Sequence, residues 1–137
     1  MVRIKTLVKR KFKPEYFPEN VYYGSNSICK KAKNIELMRD EEIIVTIDNE
    51  PDTELIDCFI LTDRRIVIVK NDITRYIDYS NIKYVELPNE KIDSDKQYDD
   101  PKMNRSDKAK IHLNNGDIEE IRIIYGGIYL LASIFRK

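Results

Sequence analysis

Catalysis needs several reactive side chains held together, and this chain offers few of them. His112 is its only histidine. It stands between Ile111 and Leu113, so strand periodicity turns it to the opposite face with Lys110 and Asn114, and an outward-facing strand histidine is expected rather than a metal ligand or general base. Cys29 and Cys58 are remote from each other and lack the C-x-x-C spacing. With one histidine they do not make the close set of thiols and imidazoles that zinc takes, and both are expected as buried free thiols in a reducing compartment. Carboxylates gather in residues 48–54, 93–100 and 117–120. None of these runs has the EF-hand spacing with its central glycine and closing glutamate, which leaves solvated charge as their expected state. No glycine-rich run could wrap a phosphate. The expectation is a protein that is not an enzyme, with no catalytic residues, no metal ligands and no cofactor.

The residues that could bind are basic. Residues 1–39 hold ten Lys or Arg against three acids, a net +7, and because the whole chain is neutral residues 40–137 carry −7. Within that basic part Lys9, Arg10, Lys11 and Lys13 surround Phe12, with Tyr16 and Phe17 just beyond. Bases beside stacking aromatics suit single-stranded nucleic acid, but a sequence pI near 6.6 is far from the basic domains expected there, so nucleic acid is disfavoured. The same four bases suit an anionic membrane surface, or they fold against the acidic remainder of the chain.

These residues must be positioned by a chain of 137 residues, one domain's worth, long enough to fold without disulfides or metal. Charged residues make up 35% and hydrophobic ones 42%, and no apolar run approaches a membrane span; with no signal-peptide pattern at the start, the expected location is cytoplasmic. Residues 1–25 read as a basic N-terminal arm, with a short β-like start over residues 2–8, prolines at 14 and 18, and aromatics that imply packing. Residues 26–137 read as the folded domain, opening with a short helix from Ser27 that carries Ile28, Ala32 and Ile35 on one face. Residues 43–124 then hold seven strand candidates, punctuated by turn signals at residues 49–52, 62–64, 71–72, 80–81 and 115–116. Asn115-Gly116 predicts a type I′ hairpin turn, and a bulge near Glu119-Glu120 would let Ile118, Ile121 and Ile123 share the core. Residues 88–107 are polar and read as a long loop. The helix over residues 128–136 follows a Gly-Gly break, with Ile128, Leu131, Ala132 and Phe135 forming the stripe that plugs a barrel. Leu130 and Ile134 lie off the stripe, and are either covered by the arm or part of a subunit interface in a homo-oligomer.

With its motifs in this order the chain resembles the bacterial pleckstrin-homology-like (PH-like) and GRAM-like domains. The residues that carry the resemblance are the acidic lead Arg39-Asp40-Glu41-Glu42-Ile43, the turn Leu61-Thr62-Asp63-Arg64-Arg65, the apolar strand 66–69, the run Ile77-Asp78-Tyr79-Ser80-Asn81-Ile82, and the late hairpin 110–124 before the C-terminal helix. It spans about residues 36–137. The resemblance implies a mainly β fold with some α: a PH-like seven-stranded antiparallel barrel or sandwich capped by a C-terminal helix. It also implies a binding module for phosphoinositides, peptides or proteins. The first inter-strand loop departs from the lipid-binding members, because residues 48–54 carry four acids and no base, which repel phosphate. The expected function is therefore a non-catalytic module for another protein or peptide. The alternatives are peripheral membrane association through the basic arm and a small inhibitor or immunity-type protein. The candidate binding residues are Lys9, Arg10, Lys11, Lys13, Leu130 and Ile134.

Overall fold

The computed structural model describes residues 2–13, 21–24, 35–88, 107–124 and 126–136. The helix expected from Ser27, the aromatics Tyr16 and Phe17, Cys29 and most of the long polar loop lie outside the described residues. The chain forms two compact units, Met1–Ser80 and Asn81–Lys137.

The first unit begins with helix α1 (Val2–Lys11), where the sequence suggested a β-like start. The alternation of Val2 and Ile4 was misleading over so short a run. Ile4, Leu7, Val8 and Phe12 recur at helical spacing, and Val8 and Phe12 are fully buried. Lys9, Arg10 and Lys11 occupy the last turn, where positive charge complements the helix dipole. A five-stranded antiparallel sheet follows in the order β1 (Val21–Tyr23), β2 (Ile43–Asp48), β3 (Asp57–Thr62), β4 (Arg65–Lys70), β5 (Ile73–Asp78). Strand β2 is buried along its whole length, Thr46 and Asp48 included, and β3 nearly so. One sheet face gathers Ile43, Cys58, Ile60, Val67 and Val69, with Tyr22, Ile35 and Ile56 packed against them. A register shift between Ile43 and Val45 marks a bulge that lets Ile43, Ile44 and Val45 all be buried in succession. Asn71 takes φ 55° in the two-residue turn between Lys70 and Ile73, as its sequence suggested. A 3-10 turn at Tyr79–Asn81 ends the run of sequential pairing: β5 pairs with β4, and β6 (Ile82–Glu86) opens a second sheet. The seven expected strands are all present, with β1 as an eighth. Among the described residues the two ladders do not close into one barrel.

The second unit is the three-stranded antiparallel sheet β6, β7 (Lys108–Leu113), β8 (Ile118–Arg122), followed by helix α2 (Gly127–Ile134). The β7–β8 register runs without a break from Lys108↔Arg122 to His112↔Ile118, so the bulge expected near Glu120 is absent. Ile118 therefore stays on the outer face beside His112, 54% exposed, while Ile121 and Ile123 are buried. The shift in this sheet falls instead in β6, between Ile82 and Tyr84. The hairpin also differs from the expected type I′ turn, since Gly116 has φ 95° but Asn115 does not have positive φ. Gly116 N–H donates to Leu113 C=O at 3.0 Å and Leu113 N–H to Asp117 C=O at 2.9 Å, so Asn114, Asn115 and Gly116 form a three-residue loop with glycine in the left-handed position. Helix α2 starts after Gly126, at φ 79°, and sets its C-terminal end on β6: Val85 N–H donates to Phe135 C=O at 3.0 Å. Ile128 and Leu131 are fully buried; Ala132 and Phe135, expected in the same stripe, are half-buried because the helix ends at Ile134 and Phe135 caps it.

Candidate functional site

The motif residues of the first unit converge on one buried carboxylate. Glu41 Oε2 accepts from Thr62 Oγ1 at 2.6 Å and from Arg65 Nε at 2.9 Å, while Oε1 accepts from Arg65 at 2.8 Å and from Met38 N–H at 2.8 Å. Arg65 also donates to Glu36 C=O at 2.6 Å and stacks 4.2 Å over the Tyr76 ring. Tyr79 O–H donates to Thr62 C=O, which ties the end of β5 to the same turn. Burial pushes the Glu41 carboxyl up, but the hydrogen bonds from Arg65, Thr62 and Met38 and the Arg65 charge outweigh it and hold the group below its ordinary value. Burial, with the charges of Asp63 and Glu41, raises the Tyr79 phenol well above its ordinary value. With every partner internal, the arrangement fixes the path of residues 36–41 across β4 and β5. It is scaffold, and it leaves no open position for a substrate.

Exposed chemistry lies on β5, the outer strand of this sheet. Ile73 is 64% exposed and Tyr76 38%, and Leu55, in the loop before β3, is 59% exposed. Lys70 and Ile73 flank a two-residue turn and so form a hydrogen-bonded pair, which directs the backbone groups of Thr74, Tyr76 and Asp78 away from β4. Such an edge can accept an extended segment of another chain. Sequence reading missed these residues. The available signal was the run ITRYID, which keeps β-formers at Ile73, Thr74 and Tyr76 but breaks strict alternation with charge, as an edge strand does.

The residues expected to bind fall on both units. Lys9 and Arg10 are exposed on α1, and Lys11 and Lys13 are half-buried. The neighbouring Lys5 pairs with Glu42; this hydrogen bond, with the charges of Lys5 and Lys9, lowers the Glu42 carboxyl. Leu130 and Ile134 are half-buried on α2. His112 sits on the outer face of the second sheet as expected, stacked on Tyr84 at 4.3 Å with Nε2 2.9 Å from Glu86 Oε1. Cys58 is a buried free thiol. Among the described residues no three His, Cys, Asp or Glu side chains gather as a metal would require, and no helix is long and apolar enough to cross a membrane.

Two antiparallel sheets, a helix after the last strand and a scaffold built on the acidic lead and the L-T-x-x-R turn define a small β-rich domain of the pleckstrin type. The chain belongs to the bacterial PH domain family, which matches residues 37–129, well over half its length. No curated protein and no solved structure matches it.

Proposed function

We propose that the chain is a non-catalytic module that binds another protein by receiving an extended segment of it along β5. The observation that carries this reading is the exposed edge itself, with the Ile73 side chain largely in solvent beside outward-directed backbone groups. Membership of the bacterial PH domain family supports it, since PH-like domains are commonly interaction modules. The test is photo-crosslinking in the native cell. A photoreactive residue in place of Ile73 should trap a protein partner, and Thr74→Pro should abolish the trapping while leaving the circular dichroism unchanged, because proline is tolerated where an edge N–H faces outward. Crosslinks formed equally well in the Thr74→Pro background, or formed only from positions 9 or 118, would sink the edge reading. Peripheral membrane association is a second reading, favoured by the exposure of Lys9 and Arg10 on α1.

A further inference from the structure

The end of the sheet where β5 begins has a composition of its own. Asn71 N–H donates to Ile56 C=O at 2.9 Å, which sets the β4–β5 turn beside the loop that holds Leu55. Ile73 pairs with Lys70 and Lys70 with Asp57, so Asp57 and Ile73 lie about 10 Å apart, two strand spacings, and Leu55, two residues before Asp57, lies at the same end of the sheet. Leu55 and Ile73 are both largely in solvent. Among the described residues at this end, Asp52, Glu54 and Asp72 are exposed and Glu50 is half-buried, against the bases Lys70 and Arg75, the latter lying two residues along β5 from Ile73. Aliphatic side chains left exposed within a charged rim mark a contact surface, and a rim mainly of one sign selects the opposite sign in its partner.

Building on the β5 edge, we propose that this end of the sheet receives a basic segment of a protein partner, one whose aliphatic side chains cover Leu55 and Ile73 and whose Lys or Arg face Asp52, Glu54 and Asp72. A strand added along β5 leaves the edge at Ile73, where this rim begins, so one segment reaches both features. An anionic lipid is repelled by the same carboxylates. A second copy does not supply the basic segment from α1, because Phe12, at the centre of its basic run, is buried in its own fold.

The test uses the full chain and three labelled synthetic peptides read by fluorescence anisotropy: alternating valine and lysine, the same with glutamate for lysine, and the same with serine for valine. The valine-lysine peptide should bind and the other two should not. The double variant Leu55→Ser/Ile73→Ser should weaken binding roughly tenfold or more, as loss of apolar anchors does. Asp52→Lys/Glu54→Lys should weaken it and flatten its salt dependence; all four positions are exposed, and circular dichroism checks that the fold is kept. Equal binding of the serine-lysine peptide, binding of the glutamate peptide, insensitivity to the Leu55/Ile73 change, or no binding at all overturns the proposal. If it fails while crosslinking through position 73 persists, the edge reading stands with a different occupant. If binding responds to Leu55 and Asp52 but not to Thr74→Pro, the basic partner stands and the edge reading falls.

Discussion

Glu41 and Arg65 show how a motif legible in sequence can hide its purpose. The acidic lead and the L-T-x-x-R turn are plain as strings, but nothing in the string shows that their side chains meet 24 residues apart in a buried ion pair. Arg65→Met keeps much of the volume but strands a buried carboxylate, and should cost about 3–5 kcal/mol in urea unfolding. The double variant Glu41→Gln/Arg65→Met should cost less than the two single changes added together, since the charge that Arg65→Met strands is gone. The pH dependence has a definite sign. Because the folded Glu41 carboxyl sits below its ordinary value, the unfolded state binds the proton first as pH falls, so this contribution is complete above the ordinary carboxylate range and is lost through the folded value. Glu41→Gln should therefore flatten the acid limb of the stability profile below about pH 4.5 relative to the parent. Thr46 is the opposite case. Its hydroxyl is buried in β2 and has no hydrogen-bond partner among the described residues, so Thr46→Val should raise stability by about 1 kcal/mol, visible as a higher urea midpoint.

Elements were legible where pattern and turn chemistry agreed. Strands β2 to β8 announce themselves by β-branched runs between turn residues, and α2 by its apolar stripe after two glycines. Helix α1 was not legible, because its apolar residues fit alternation over the first three positions and helical spacing only over the full ten. Ile118 was misread for a related reason: an apolar residue was assumed to need the core, and the continuous β7–β8 register leaves it outside. The β5 edge escaped notice because edge position depends on which strands pair, which a single run of residues does not encode. The observed geometry sets the expected cost of changes at Gly116, Leu131 and Phe135. A Cβ at Gly116 would meet nothing within 4 Å, so Gly116→Ala should cost only the left-handed backbone penalty, about 1 kcal/mol, and Gly116→Asn less, measured by thermal unfolding. Leu131→Ala should cost about 2–5 kcal/mol because the side chain is fully buried, and Phe135→Ala less than a fully buried aromatic would, because Phe135 is half-exposed at the helix end.

At the scale of the whole molecule the neutral charge divides into a basic first part and an acidic remainder, and the structure shows what part of the basic charge is already engaged. Lys5 is paired with Glu42, Lys9 lies within the field of the same carboxylate, and Val8 and Phe12 hold α1 in the fold. The fully buried apolar residues Val8 and Phe12 are therefore not available to insert into a bilayer while α1 stays packed. Membrane attraction through Lys9, Arg10, Lys11 and Lys13 rests on charge alone, at about 1 kcal/mol each, or about 4 kcal/mol in total, which corresponds to millimolar affinity. The charged side chains in the loop over residues 48–54 are all acidic, and they repel phosphate. Asp48 is buried and accepts Glu50 N–H at 2.9 Å, and Asp52 and Glu54 stand exposed. Sedimentation with vesicles should then show weak binding at low salt that follows total anionic charge, does not distinguish one phosphoinositide from another, and disappears at physiological salt, where charges more than about 8 Å apart are screened. Lys9→Glu/Arg10→Glu should remove the low-salt binding, while Asp52→Lys/Glu54→Lys should strengthen it. Salt-resistant binding of one phosphoinositide by the Lys9→Glu/Arg10→Glu variant would instead locate a lipid site on the sheets and displace the protein-partner reading.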